Sequence, residues 1–269
     1  MRTTEQSSNY EHLDKMTTLE LLQAMNAEDS GVPAAVAKCI PEIEKLVDAI
    51  VERMKRGGRV FYNGAGTSGR LGVVDASEIL PTYGVKDKFI GLIAGGDGAI
   101  RTAVEGAEDD AGQGWKDLLA YNPTPEDTLV GIASSGTTPY VIGSIEEARK
   151  NGLLTACITC NEGSPVAEAC EIPIVCIVGP EFVTGSTRMK AGTCTKLILN
   201  MISPSVMIKM GHVRGSRMVD MELTNKKLVD RGTRMIMTET GIEDYDFAKE
   251  LLLKHGKVRE AVAAYKKEK

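Results

Sequence analysis

Two short stretches carry the residue types that hold a phosphate. The first is Gly64-Ala65-Gly66-Thr67-Ser68-Gly69-Arg70 and the second is Ser134-Ser135-Gly136-Thr137-Thr138. Each follows an apolar, strand-like run and precedes a helical pattern, a layout that points backbone N–H groups and the positive end of a helix at an anion. Glycines such as Gly66 and Gly136 let a ligand approach the backbone closely. The hydroxyls of Thr67, Ser68, Ser134, Ser135, Thr137 and Thr138 add donors. The first stretch matches G-x-G-x-x-G literally, yet no acidic residue closes a following strand to meet a ribose. No lysine follows it as in G-x-x-x-x-G-K-[ST], which disfavours nucleoside triphosphate hydrolysis. Two hydroxyl-rich loops suit a compact phosphomonoester.

Two carboxylates accompany these loops. Glu78 lies ten residues after Ser68, in Asp75-Ala76-Ser77-Glu78, on the helix expected to leave the first loop. Glu108 lies in Glu105-Gly106-Ala107-Glu108-Asp109. A pair of carboxylates permits general acid and general base roles on one substrate. A solvated surface acid is the commoner role for any one glutamate, and pattern alone does not lift Glu78 or Glu108 above it. A third stretch, Gly179 to Thr193, starts a helix that Ser186 or Thr187 can cap. In it Arg188 and Lys190 offer positive charge to an acidic substrate or a neighbouring subunit. Metal chemistry is poorly supported. The three histidines (His12, His212, His255) are far apart in sequence, and the C-x-x-C pair Cys157 and Cys160 falls on a strand-like run without a second ligand pair.

The elements that position these residues alternate. Strand-like runs are expected at Arg59–Asn63, Phe89–Ala94, Asp127–Ala133, Leu153–Thr159 and Ile172–Ile177, with helical patterns between them. Runs apolar on both faces and joined by helices indicate a parallel sheet covered on both sides, with ligands bound beyond the C-terminal strand ends. Both hydroxyl loops fall there. Before the sheet, Thr17 and Glu20 have capping-box spacing ahead of an apolar face of Leu19, Leu21, Leu22 and Met25. Pro41 is expected to end or kink the helical run from Ala34 to Met54. Ala99 to Ala107 reads as a short helix, and Thr187 to Met210 as a long one broken or kinked at Pro204. The segment up to Asn9 is polar and expected to be mobile. These patterns divide the chain into an N-terminal helical segment (1–50), a central α/β domain that carries both phosphate loops (51–219) and a short C-terminal helical segment (220–269).

The bulk numbers are those of an ordinary globular chain, with 269 residues, 42% hydrophobic and 26% charged. A net charge of −5 argues against a sequence-blind nucleic-acid binder. No run approaches the roughly 18 apolar residues a membrane span needs, and the N-terminus lacks the apolar core of a signal peptide. A cytoplasmic protein with its six cysteines as thiols is expected.

Taken together, the motifs GAGTSGRLG (64–72), DASE-x-x-PTYG (75–84), LIAGGDGAI (92–100), AVEGAEDD (103–110), ASSGTTPYV (133–141) and GPEFVTGSTRMKAGT (179–193) closely resemble the N-acetylmuramic acid 6-phosphate etherase family. That family lies within the sugar isomerase (SIS) domain superfamily and is related to the animal glucokinase regulatory protein. The resemblance runs from about Thr17 to Asn225. It implies an α/β three-layer sandwich around a five-stranded parallel sheet, and a homodimer with the active site shared across the interface. It implies no metal or organic cofactor. The implied reaction converts N-acetylmuramic acid 6-phosphate and water into N-acetylglucosamine 6-phosphate and D-lactate, in recycling or scavenging of cell-wall sugar. Matched onto this chain, the family's acid/base glutamates fall on Glu78 and Glu108, and its phosphosugar loops on Gly66-Thr67-Ser68 and Ser134 to Thr138. The C-terminal helical region is shorter than the family leads one to expect.

Two other functions share the phosphate loops: a non-catalytic sugar-phosphate sensor, and an aldose–ketose phosphate isomerase. Glu78 and a chain with room for a single SIS domain favour the etherase over the sensor.

Overall fold

The computed structural model of the protein describes residues 2–223 and 225–268. Helix α1 (Thr18–Asp29) opens on the predicted capping box, with Thr17 Oγ1 accepting from the Glu20 N–H and Glu20 Oε2 accepting from the Thr17 N–H at 2.7 Å. The next helical run is two helices, α2 (Val32–Ala37) and α3 (Ile40–Lys55). Pro41 falls in the first turn of α3, where its missing N–H has no intrahelical partner to lose.

Strand and helix then alternate through β1 (Val60–Gly64), α4 (Gly66–Ser77), α5 (Ile79–Tyr83), β2 (Phe89–Ile93), α6 (Gly98–Arg101), a 3-10 turn at Ala107–Asp109 and α7 (Gln113–Leu119). Next come β3 (Thr128–Ile132), α8 (Pro139–Lys150), β4 (Leu154–Thr159), α9 (Pro165–Ala169), β5 (Ile172–Val175) and the long α10 (Lys190–Lys209). A two-stranded ribbon, β6 (Val213–Arg214) with β7 (Arg217–Met218), leads to α11 (Lys226–Thr240), α12 (Tyr245–His255) and α13 (Val258–Glu268).

The five strands form one parallel sheet in the order β2-β1-β3-β4-β5. One face, carrying Phe61, Leu129 and Cys157, packs with Leu118 of α7, Tyr140, Val141 and Ile145 of α8 and Val166 of α9. On the other face, α4 lies so close that a Cβ at Gly72 would stand 2.9 Å from Tyr62 Cβ. Burial on both faces is why the strands read as continuous apolar runs.

The chain forms two compact units. One runs to Ala76 and takes up again over Lys88–Val206, so it holds the whole five-stranded sheet; the other comprises Ser77–Asp87 and the chain from Met207 onward. The second unit has its own core, in which Met235 and Ile236 of α11, Leu251 and Leu252 of α12 and Val258 and Val262 of α13 pack together. Asp220 ties this unit internally, accepting from His212 Nδ1 at 2.8 Å and from Arg259 Nε at 2.9 Å. Asn225 caps α11, and Gly256, in the left-handed region, separates α12 from α13.

Several expectations are corrected. The segment before Asn9 is pinned to the first unit: Thr4 is buried and the Thr4 N–H donates to Asn161 Oδ1, while Ser8 Oγ donates to the Phe182 carbonyl at 2.7 Å. The apolar face foreseen on α1 is not buried; Leu19 and Leu22 are 64% and 58% exposed. The single helix expected over Ala99–Ala107 stops at Arg101, because Thr102 turns extended and Gly106 adopts a left-handed φ of 72°. Helix α10 continues through Pro204 rather than breaking there, its inward face of Ile198, Leu199 and Ile202 fully buried.

Candidate active site

The sheet order places both hydroxyl loops where an α/β sheet binds ligands. β1 has β2 on one side and β3 on the other, and the register pairs Gly64 with both Ile93 and Ile132. The loops after β1 and β3 therefore leave neighbouring strand ends at the point where the strand order reverses.

Three glycines of the first loop do different jobs. Gly66 starts α4 with φ +52° and open space around it, so its need is conformational. Gly64 and Gly69 face each other, and a Cβ on Gly69 would stand 2.7 Å from Gly64 O and from Ile93 Cγ1. Their small size lets α4 begin directly on the end of β1, a packing role where the sequence suggested ligand approach alone. The Gly69 N–H is taken by Ala65 O at 3.1 Å, so the N–H groups of Gly66, Thr67 and Ser68 are the first-turn donors that lie ahead of the helical ladder. Arg70 donates from Nε and Nη2 to the carbonyls of Ile100 and Ala99 at 2.9 and 2.8 Å, tying α4 to α6.

The second loop turns at Gly136 (φ +73°) and delivers the chain into α8 at Pro139. Thr138 sits at the N-cap of α8 without a side-chain cap bond, which leaves its hydroxyl for another partner. Ser135 Oγ accepts from Thr137 N–H at 3.3 Å and from Thr137 Oγ1 at 3.2 Å. Ser134 is buried and its carbonyl accepts from Asn161 Nδ2 at 2.9 Å, while the same amide reaches Ser135 O at 3.3 Å.

Beside the first loop is a pocket of about 210 Å³ lined by Ala65, Gly66, Arg70, Ala94, Glu105 and Glu108, among others. The fold thus brings Glu108 and Gly66 to one cavity, and the carboxylate is on exposed chain in the 3-10 turn. Glu78 is placed differently from the expectation. α4 ends one residue earlier, at Ser77, and Glu78 occupies the N-cap position of α5, exposed and without a cap bond. It belongs to the second compact unit, and Glu108 to the first.

Sequence reasoning missed several supporting groups. The N-terminus of α10 is capped by Glu181 and not by Ser186 or Thr187: the buried Glu181 carboxylate accepts from Lys190 N at 2.8 Å and Ala191 N at 3.0 Å. Lys190 is itself buried and paired with Glu28, so it is not a free charge for substrate; Arg188 is exposed. Asp75, inward on α4, is 5% exposed. Burial pushes its carboxyl above the usual carboxylate range, against the opposing pull of the Ser203 and Tyr62 hydroxyls and the Lys196 ammonium. An isolated Asp or Glu in a helix gives no sign of such burial in its sequence neighbourhood. Cys157 and Cys160 do not share a site. Cys157 lies in β4, and Cys160 Sγ is 3.5 Å from Cys194 Sγ. Among the described residues no group of three or more His, Cys, Asp or Glu is arranged to hold a metal ion, and no helix is long and apolar enough to cross a membrane.

Known proteins share this architecture. A phosphoheptose isomerase from Francisella tularensis superposes with a TM-score of 0.53 at 20% identity, over 70% of this chain and 100% of that one. At that identity the likeness speaks for the fold alone. The glucokinase regulatory protein N-terminal SIS domain model matches residues 42–149, and the SIS domain model matches residues 110–202. Over nearly the full chain (99%) the protein is 61% identical to N-acetylmuramic acid 6-phosphate etherase of Christiangramia forsetii, covering 97% of that relative. The etherase of Bacteroides fragilis is 59% identical with 95% covered, and that of Cronobacter sakazakii 55% identical with 78% covered. A SIS-type sheet, loops at its switch point and identity of this extent lead to one conclusion: the chain belongs to the N-acetylmuramic acid 6-phosphate etherase family.

Proposed function

We propose that the protein is a carbon–oxygen lyase that converts N-acetylmuramic acid 6-phosphate and water into N-acetylglucosamine 6-phosphate and D-lactate. The observation that carries this reading is the 61% identity to the C. forsetii etherase across 97% of that relative. The phosphate lies against the first-turn N–H groups of α4 and the hydroxyls of the second loop. Opening of the sugar ring gives an aldehyde at C1, which acidifies the proton on C2. Glu108, as carboxylate, takes that proton, and the C3–O bond breaks as the C2–C3 double bond forms. Glu78, as carboxylic acid, donates its proton to the departing lactyl oxygen. In the second half the roles reverse: Glu78 takes a proton from water as the water oxygen adds to C3, and Glu108 returns one to C2. Support for Glu108 comes from its place on the rim of the pocket that Gly66 also lines. Support for Glu78 comes from its position in the family's DASE motif.

The finer reading is a cytoplasmic homodimer with a shared active site, serving cell-wall sugar turnover. The exposed Leu19 and Leu22 on α1 offer apolar surface for a second copy; light scattering on the eluting protein reports its mass directly. Incubation with N-acetylmuramic acid 6-phosphate is expected to release one D-lactate per substrate. Tight binding with no lactate would favour the non-catalytic sensor. Deuterium exchange from solvent into C2 separates the two glutamates: it should persist in Glu78→Gln and vanish in Glu108→Gln. Exchange surviving only in the Glu108 variant would reverse the assignment.

A further inference from the structure

A phosphate dianion held by hydroxyls and N–H groups still calls for positive charge, and the two loops contain little that is free to supply it. Between Ala133 and Ala148 there is no lysine or arginine. Arg70, in the first loop, spends its Nε and Nη2 on the carbonyls of Ile100 and Ala99. Lys190 is buried against Glu28. One guanidinium does reach the second loop, and it comes from the opposite end of the sequence: Arg2 Nη1 donates to Thr137 Oγ1 at 3.0 Å.

The segment that carries Arg2 is built into the fold. Thr3–Glu5 form a 3-10 turn in which Thr4 is buried. Asn161 holds this turn and the loop with one side chain, since its Oδ1 accepts from Thr4 N and its Nδ2 donates to Thr4 Oγ1 at 3.0 Å and to Ser134 O at 2.9 Å. Further on, the Ser8 N–H donates to Thr184 Oγ1 at 2.9 Å, and the Tyr10 ring packs on Phe182 with centroids 5.0 Å apart. The strap is thus fixed at both ends, and its exposed arginine lies at the loop that carries the free hydroxyls.

We propose that Arg2 is a phosphate-binding residue: the N-terminal strap supplies, from the far end of the same chain, the positive charge that the second hydroxyl loop lacks, and selects dianionic phosphomonoesters over uncharged sugars. This rests on the phosphosugar reading of the same site. With Nη1 on Thr137, the Nε and Nη2 donors remain for phosphate oxygens, and the fork geometry of guanidinium suits such oxygens better than an ammonium does. The bond to Thr137 Oγ1 also fills an acceptor site on that hydroxyl, leaving its proton to turn toward Ser135 Oγ or toward the phosphate.

The test is Arg2→Ala and Arg2→Lys in the full chain, with lactate release for kinetics and calorimetric titration with inorganic phosphate for binding. Losing one charge-assisted contact should raise KM roughly 10- to 100-fold and weaken phosphate binding by a like factor. kcat should stay within about twofold, because the contact exists in ground and transition states alike. Arg2→Lys should recover a large part of both. An unchanged KM and phosphate affinity in Arg2→Ala would overturn the proposal. So would a raised KM with unaltered phosphate affinity, which marks a structural strap. Thr4→Val, which loosens the strap and keeps the cation, should lower thermal stability more than Arg2→Ala does; the reverse order also counts against a binding role. If the wild-type protein releases no lactate, the etherase reading fails, while the phosphate titrations still decide the role of Arg2.

Discussion

Gly69→Ala puts the cradle's construction to a quantitative test. The added Cβ would stand 2.7 Å from Gly64 O, 2.7 Å from Ile93 Cγ1 and 2.9 Å from Gly64 C. Carbon contacts are comfortable at about 3.5–4.0 Å, so the first turn of α4 must withdraw from β1 by about 1 Å. Two of the three obstructing atoms are backbone and cannot rotate aside. Overpacking of this kind costs about 1–3 kcal/mol, and alanine recovers about 1 kcal/mol over glycine within a helix. A net loss of up to about 2 kcal/mol is expected, a Tm drop of at most several degrees for a chain of this size. The effect on substrate should be larger, because a 1 Å displacement of positioning groups costs on the order of 100-fold in rate. Gly66→Ala is the control: its Cβ meets nothing within 4 Å, so only the φ of +52° resists, at about 1–2 kcal/mol. Thermal unfolding and lactate kinetics on both variants read the outcome. A Gly69→Ala protein with wild-type Tm and wild-type kcat/KM would refute the packing role given to the Gly64–Gly69 pair.

The remaining predictions concern the acids. Glu78→Gln and Glu108→Gln should each lower kcat by roughly 100- to 10,000-fold, the range for loss of a positioned general acid or base, with KM for the substrate little changed; lactate release measures both. Asp127→Asn should destabilise the protein by about 1.5–3 kcal/mol at neutral pH, since it removes the carboxylate that accepts from Arg59 through both oxygens while Arg59 keeps its bonds to the Tyr121 and Asn122 carbonyls. Burial alone would raise the Asp127 pKa, but Arg59 and the Thr124 N–H outweigh it and the net shift is downward. The stabilisation is therefore present above the unfolded-state carboxylate pKa of about 3.9 and is lost as pH falls through the folded value. Urea unfolding should show the gap between wild type and Asp127→Asn at its full size above about pH 5 and shrinking as pH falls below the unfolded-state value toward the lowered folded one.

Much of the sheet was legible because burial on both faces leaves a plain signature: Val60 to Gly64 and Thr128 to Ile132 are buried along their entire length. Strand boundaries moved by one or two residues, as at β5, which ends at Val175 and not at Ile177. Periodicity misled at Ala99–Ala107, since Ile100, Ala103, Val104 and Ala107 have helical spacing but Thr102 and Gly106 leave helical backbone. It also misled at α1, where apolar spacing identified a real helix and could not say that Leu19 and Leu22 stay exposed. The loop hydroxyls stand out in the local pattern, and Glu108 only through the family motif. Arg2 and Asn161 were not readable, because their roles come from contacts across long sequence separations, Arg2 with Thr137 and Asn161 with Thr4, and Glu181 was not, because it caps α10 from nine residues before Lys190 rather than from the adjoining Ser186 or Thr187. Local pattern carries no record of such meetings.

The central claim is that the lactyl ether is broken at C3 by elimination and that water then adds at C3. Turnover of N-acetylmuramic acid 6-phosphate in oxygen-18 water, with mass spectrometry of both products, tests it most directly. The account predicts one solvent oxygen at C3 of N-acetylglucosamine 6-phosphate and none in the D-lactate hydroxyl, which keeps the original ether oxygen. Label in that hydroxyl with none at C3, or no lactate at all, would contradict it.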